Sequence, residues 1–247
     1  CGTTNGTVDV RVNASSDDAE QQTSDGVVVI NNADLDFFGE NNGGGTAYSN
    51  LGVRFNSLNI PQGATITNAY IEFTANNSNS VSAGNPTITI QGQNADNAAT
   101  FTTAANNISS RTWIAGQDVT WNPSAWTRDI AYQTPSLTNI VQSVVNLGGW
   151  ASGNSMAFRF TGTSTTALYR EAESWDDNGA AAPRLVVQYT VPAICNYQIN
   201  RNTAYQVRIP SSNFGSGQPL FGRLVSPVDN DGTANGDSRD SDGTLSS

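Results

Sequence analysis

Residues 48–73 have the sequence YSNLGVRFNSLNIPQGATITNAYIEF. Apolar side chains alternate with polar ones in both halves of this stretch: Leu51, Val53 and Phe55 in the first, and Ile66, Ala69 or Tyr70, Ile71 and Phe73 in the second. Such alternation is typical of strands with one buried face. The residues Pro61-Gln62-Gly63 between the halves predict a turn. We therefore predict the central strand pair of a β-sandwich.

Further alternating segments predict more short strands along the chain. They lie at residues 7–12, 26–30, 87–92, 118–121, 155–161, 167–175 and 184–191. One segment has helical spacing instead, with Leu137, Ile140, Val141, Val144 and Val145 as its apolar positions. It predicts a helix over about 136–147, with Thr134 as its cap. Since no strand-helix-strand rhythm recurs, the predicted fold is an all-β, jelly-roll-like antiparallel β-sandwich with one short helix.

The same patterns divide the chain into three parts. Residues 1–191 carry the strands of the predicted sandwich domain. Residues 192–225 form either a strand-forming C-terminal extension or the start of a second small domain. Residues 226–247, rich in Asp and Gly, are interpreted as a linker or a calcium loop.

Charge and composition argue against several functions. The formal net charge is −10 and all 11 basic residues are arginines, so clustered cations for nucleic acid or anionic membranes are not expected. No apolar run approaches the ~20 residues that span a bilayer.

Without histidine or lysine, neither a Ser-His-Asp triad nor a Schiff base can form. Glu171 and Glu173, two apart in one predicted strand, are the remaining acid-base pair, but the pattern favours solvent-facing or cation-binding carboxylates. We predict that the protein is not an enzyme.

Carboxylates cluster near the ends of predicted strands, and they predict a calcium site. The candidate ligands are Asp17, Asp18, Glu20, Asp34, Asp36, Glu171, Glu173, Asp176 and Asp177. Calcium takes six to eight oxygen ligands, and several acidic loops could supply them, although such loops are also common as solvated turns. A second acidic group near the C-terminus contains Asp229, Asp231 and Asp237. It is either a calcium-stiffened connector or a disordered linker.

Two other residue types offer alternatives. Trp121 and Trp126 flank one predicted loop, where they form either a carbohydrate-binding platform or core anchors. Cys1 and Cys195 bracket the predicted sandwich. They form a disulfide between its termini, pair between molecules, or remain unrelated thiols.

Residues 8–189 resemble the DNRLRE-type and family 96 carbohydrate-binding β-sandwich domains of secreted and surface bacterial proteins. The matching motifs are Asp17-Asp18-Ala19-Glu20-Gln21, Val53-Arg54-Phe55, Ile60-Pro61-Gln62-Gly63-Ala64-Thr65-Ile66, Tyr70-Ile71-Glu72-Phe73, Asn107-Ile108-Ser109-Ser110-Arg111, Trp121-Asn122-Pro123, Gly149-Trp150 and Ala182-Pro183-Arg184-Leu185. The resemblance implies a non-catalytic jelly roll, often calcium-bearing, that is appended to adhesins, enzymes and matrix proteins.

Together these observations predict a secreted, calcium-stabilised structural or adhesive building block of an extracellular surface, matrix or filament. Strand exchange between copies, forming a homopolymer, is one predicted interaction, because the segment after Pro192 has strand-like alternation. The alternative function is a carbohydrate-binding module that holds a polysaccharide through surface tryptophans.

Overall fold

The computed structural model describes residues 2–22, 24–37, 48–77, 86–163 and 170–193. Several predictions lie outside these ranges. They concern the disulfide between Cys1 and Cys195, the extension and linker beyond residue 193, and the acidic residues Asp229, Asp231 and Asp237. Strand exchange through the C-terminal segment stays a prediction for the same reason.

The described residues are mostly in β-strands. The strands are β1 (Thr3–Arg11), β2 (Asp18–Gln22), β3 (Val28–Val29), β4 (Asp34–Phe37), β5 (Tyr48–Phe55), β6 (Thr65–Thr74), β7 (Thr87–Gly92), β8 (Val119–Trp121), β9 (Ala131–Gln133), β10 (Met156–Thr163), β11 (Arg170–Glu173) and β12 (Arg184–Pro192). The helices are α1 (Thr138–Val145) and the short α2 (Trp175–Asn178), and a 3-10 turn covers Ser15–Asp17.

The strands form two antiparallel sheets and a separate two-stranded ribbon. One sheet has the order β1-β12-β6-β9, the other β3-β2-β5-β10-β7-β8, and β11 pairs with β4 in the ribbon. Apolar residues from both sheets, among them Leu51, Phe158, Ile71 and Leu185, belong to one buried cluster. The predicted all-β sandwich is thus confirmed. No helix in the described ranges is long and apolar enough to cross a membrane.

The stretch 48–73 connects the two sheets instead of forming a pair within one. β5 lies in the six-stranded sheet and β6 in the four-stranded sheet, so the predicted pairing of these strands is wrong. Leu58, Ile60 and Ala64 in the connection are buried, so the chain packs against the core as it passes from one sheet to the other. Gln142 of α1 holds this corner, because its side chain accepts a hydrogen bond from the Ile66 amide at 2.8 Å and donates one to the Ala64 carbonyl at 3.0 Å.

A β-bulge in β6 explains its irregular apolar pattern. Tyr189 of β12 faces Ile66, whereas the preceding Gln188 faces Asn68, so one extra residue is inserted in β6. In a regular strand, two side chains an odd number of residues apart, such as Ile66 and Ala69, point to opposite faces of the sheet. The inserted residue shifts the alternation, and both Ile66 and Ala69 are buried.

Helix α1 is shorter than predicted at both ends, covering Thr138–Val145. Its predicted apolar face is confirmed, since Leu137, Ile140, Val141, Val144 and Val145 are all buried. Thr134 does not cap the helix. Its hydroxyl instead accepts a hydrogen bond from the Ile71 amide at 3.1 Å and thereby fixes the chain against β6 before the helix begins.

An aromatic cluster fills the centre of the core around Phe37. Its ring meets four others edge-on, with centroid distances of 5.0 Å to Phe73, 5.8 Å to Trp121, 5.7 Å to Trp126 and 5.5 Å to Phe160. Trp121 and Trp126 are only 6% and 2% exposed. Of the two alternatives for these rings, the surface carbohydrate platform is therefore wrong, because the core buries both of them as anchors.

The ribbon of β4 and β11 is fixed to the core by one of its faces. Leu35 and Ala172 are paired across the two strands, and both are buried. Arg170 is fully buried on β11 and donates hydrogen bonds to the Pro123 and Ser124 carbonyls at 2.9 and 2.8 Å. This anchored face determines the position of the other face, which carries the candidate site.

Candidate metal centre

The ribbon places four carboxylates together. Asp34 is paired with Glu173 across the two strands, and Asp36 is paired with Glu171. Because successive side chains of a strand point to opposite faces, all four lie on the face opposite Leu35. The two glutamates of β11 do share one side, as the sequence predicts, and each faces an aspartate of β4.

Three of these residues could bind one ion. Asp34, Asp36 and Glu171 each offer a carboxylate oxygen, and the three oxygens lie within 4.8 Å of one another. Two oxygens bound to the same calcium ion are at most about 5 Å apart, which is twice the coordination distance. The three oxygens therefore fit within one calcium coordination sphere.

Glu20 closes the buried side of this cluster. It extends from β2, is fully buried, and accepts hydrogen bonds from the Asn32 side chain and from the Asp36 amide. Burial, followed by the negative charges of Asp36 and Asp34, raises the pKa of Glu20 well above its ordinary value. A cation at the cluster would favour the ionised form of Glu20.

Glu173 lies at the other end of the ribbon. Its side chain is 4% exposed, and Oε2 has no hydrogen-bond partner among the described residues. Burial and the adjacent carboxyl group of Asp177 raise the pKa of Glu173, whereas a hydrogen bond from Asn76 and the positive charge of Arg128 lower it. Asp177 belongs to α2, whose first turn is capped by Ser174: the Ser174 hydroxyl accepts a hydrogen bond from the Asp177 amide at 3.3 Å.

Asp18 and Asp176 lie beside the cluster and hold its loops together. Oδ2 of Asp18 accepts a hydrogen bond from the Trp175 amide at 2.8 Å, which joins β2 to α2. Oδ1 of Asp176 accepts one from the Ser15 hydroxyl at 2.7 Å. Burial and the charge of nearby Asp176 raise the pKa of Asp18 to about 7.

Asp17 is the candidate ligand that the structure assigns to a different partner. It is buried, and its carboxylate forms an ion pair with Arg54 of β5 and accepts a hydrogen bond from the Asn56 side chain at 3.1 Å. The arginine already balances this carboxylate. Asp17 therefore fixes the 3-10 turn to the sheet.

Sequence reasoning missed two asparagines that shape the site. The side-chain amide of Asn32 donates a hydrogen bond to the carboxylate of Glu20. The backbone carbonyl of Asn32 accepts a hydrogen bond from the Ser174 hydroxyl at 2.6 Å. The side chain of Asn76 contacts Glu173. The backbone amide of Asn76 donates a hydrogen bond to the backbone carbonyl of Glu171 at 3.0 Å. Asn32 precedes β4, which carries Asp34 and Asp36, and that position is its only sequence signal. Asn76 follows β6, which carries no candidate ligand, so the sequence gives no signal for it.

The raised pKa values predict how stability depends on pH without a cation. In metal-free protein, we expect the melting temperature to fall by about 10 °C as pH rises from about 4.5 to 7.5. Asp18 has a pKa of about 7 in the folded protein and 3.8 ordinarily, so the folded state binds the extra proton in this range. Unfolding then releases protons and becomes easier as pH rises. Asp9, whose pKa the Arg184 hydrogen bond lowers, has the opposite effect only below about pH 4.

Thermal unfolding of chelator-treated protein across this pH range measures the effect. Asp18→Asn should flatten the profile, because the amide cannot titrate. Asp118→Asn, an exposed residue beside β8 at the far edge of the sheet, should leave it unchanged. A melting temperature of the metal-free protein that rises towards pH 7.5 would contradict the assignment.

A comparison with protein-family models gives no match, and a comparison with curated proteins also gives none. The resemblance to DNRLRE-type and family 96 carbohydrate-binding domains therefore stays a prediction. The described geometry itself is what supports a function.

Proposed function

We propose that this protein is a non-catalytic, calcium-stabilised building block of an extracellular surface, matrix or filament. One observation carries the proposal: oxygens of Asp34, Asp36 and Glu171 lie within 4.8 Å of one another on a ribbon fixed to the core. An ion at this point would join β4 to β11. It would also offset the like charges that this face brings together.

The chemistry of the ligands favours calcium over other metals. All the candidate ligands are oxygens of carboxylate or amide groups, and the chain has no histidine. Zinc and copper sites in proteins usually use nitrogen or sulfur ligands, whereas calcium prefers oxygen. Calcium also accepts irregular geometry and up to eight ligands, which suits carboxylates that arrive from the two strands β4 and β11. Magnesium requires a closer octahedral arrangement.

The same arrangement argues for a structural role. Glu171 and Glu173 each have an aspartate as cross-strand neighbour, which favours binding a cation over separate acid and base roles. Their strand is anchored by buried Arg170 and Ala172, so the carboxylates are held in place. Ligand charge and site rigidity set calcium affinity, and at a dissociation constant of about 10⁻⁶ M such a site would be filled at about 1 mM calcium.

Immunolabelling of the source cells tests the extracellular role. An antibody against the purified protein should label intact cells, and a chelator wash should make the labelled antigen more sensitive to protease. Labelling only after permeabilisation would contradict the proposed location. Protease sensitivity unaffected by the chelator would contradict calcium stabilisation. Release of reducing sugar from glycans by the purified protein, lost on replacing Glu171 or Glu173, would show that it is an enzyme.

A further inference from the structure

We propose that β1 is the docking edge for a second copy of this chain, which adds its C-terminal segment 204–209 to the four-stranded sheet. Copies then join head to tail, because each accepts a strand at β1 and donates one to the next copy. This inference rests on the proposed function as a building block, and it names the surface and the segment through which the blocks assemble.

β1 is a long strand at the end of its sheet. Among the described residues it pairs only with β12, over nine residues and without a register shift. The other three strands that end one of the two large sheets are β3, β8 and β9, and they have only two or three residues each. Proteins commonly keep edge strands short, because an open edge pairs with further strands. Its length therefore distinguishes β1 as a docking edge.

Alternate residues of β1 direct their backbone groups away from β12. The Val12 amide donates a hydrogen bond to the Pro183 carbonyl at 2.9 Å, and the Ala193 amide donates one to the Gly2 carbonyl at 3.0 Å. Since every second residue of an antiparallel strand bonds to its partner strand, the even-numbered residues of β1 bond to β12. The odd-numbered residues present their amides and carbonyls to the open side. Four of them are exposed in the single chain, so the edge is available to a second copy: Thr3, Asn5, Thr7 and Asp9.

The two charged side chains of β1 are turned towards β12. Asp9 accepts a hydrogen bond from Arg184 of β12 at 2.6 Å, and Arg11 donates one to the Ala182 carbonyl at 2.6 Å. Charged side chains and prolines usually protect an edge strand against further pairing. β1 contains no proline, and its two charges already bind groups on the β12 side. The open side is therefore left without this protection.

The chemistry of the edge fits residues 204–209. Val10 of β1 and its neighbours Tyr189 and Val191 of β12 are only partly buried where they pack against the core. Residues 204–209 have the sequence AYQVRI, in which Tyr, Val and Ile alternate with Ala, Gln and Arg. The apolar face of such a strand would cover the three partly buried side chains. Its arginine would then lie on the same side of the sheet as the carboxylate of Asp9.

Analytical ultracentrifugation of the full chain in a reducing buffer, over a range of protein concentrations, tests the proposal. The wild-type protein should form oligomers that lengthen with concentration. Thr7→Pro should weaken association at least tenfold, because it removes an amide from the open side, where a strand tolerates proline. Thr7→Ala retains the amide and is its control. Val207→Pro should weaken association equally, because proline interrupts strand pairing, whereas Val228→Pro should not.

A mixture of the two proline variants tests the direction of assembly. Thr7→Pro retains the donor segment and Val207→Pro retains the acceptor edge, so mixing them should give dimers that grow no further. A mixture that stays monomeric, or a wild-type protein that is monomeric at every concentration, would overturn the inference. Association of Val207→Pro alone at wild-type strength, as two paired β1 edges would give, would also overturn it.

The melting temperature with and without calcium separates this inference from the proposed function. A calcium-dependent rise in each variant shows that it is folded and that its calcium site is intact. Monomeric wild-type protein that keeps this rise would overturn the docking edge and leave the calcium-stabilised block standing. Wild-type protein that lengthens with concentration but shows no rise would contradict the calcium site and leave the docking edge standing.

Discussion

Adding calcium to about 1 mM at about pH 7.5 is expected to raise the melting temperature by about 10 °C. A ligand present at a thousand times its dissociation constant stabilises the folded state by about 4 kcal/mol. The expectation therefore assumes micromolar affinity, which buried carboxylates on fixed strands can supply. Differential scanning calorimetry with and without a chelator measures the shift.

Variants at the cluster identify which residues cause the shift. Glu171→Gln removes a ligand charge and keeps the shape of the side chain, so the calcium-dependent rise should fall to a few degrees or vanish. Asp118→Asn should retain the full rise. The rise should also shrink as pH falls towards about 5, because protons compete with calcium for the same oxygens. Equal shifts for wild type and Glu171→Gln would contradict the assignment of the ligands.

Replacing Phe37 with alanine is expected to lower the free energy of unfolding by about 4 kcal/mol. The ring is fully buried and makes edge-on contacts with Phe73, Trp121, Trp126 and Phe160. Its removal leaves a cavity in the centre of the aromatic cluster and takes away a contact from each neighbouring ring. Urea denaturation followed by tryptophan fluorescence measures the loss.

The loss from Phe37→Ala should be the same with calcium at neutral pH and without it at about pH 5, because packing does not depend on protons. Phe37→Leu retains most of the apolar volume and should cost about half as much or less. A loss below about 1 kcal/mol for the alanine variant would mean that the cluster closes around the gap.

Alternation in the sequence predicted which residues are buried better than it predicted which strands are neighbours. The apolar positions Leu51, Val53 and Phe55 are buried as expected, because a pleated strand presents every second side chain to the core. The same pattern cannot say which strand lies alongside. Residues 48–73 therefore look like a hairpin in sequence, although β5 and β6 belong to different sheets.

The acidic groups of the site were visible in the sequence, whereas their arrangement was not. Which carboxylates converge depends on the register between β4 and β11, and the residues of this pair are far apart in the chain. Asp17 looked equivalent to Asp18, but the partner that removes it from the site, Arg54, comes from another strand. Trp121 and Trp126 could not be placed either, because a tryptophan near a loop has the same sequence context whether its ring is inside or outside.

Anomalous diffraction from crystals grown with calcium at about pH 7.5 tests the calcium site most directly. We expect an anomalous peak about 2.3 to 2.6 Å from carboxylate oxygens of Asp34, Asp36 and Glu171. Crystals of Glu171→Gln grown in the same way should lack that peak or show it much weaker. A wild-type crystal that has only water between these carboxylates at saturating calcium, or that binds calcium only elsewhere, would contradict the proposal.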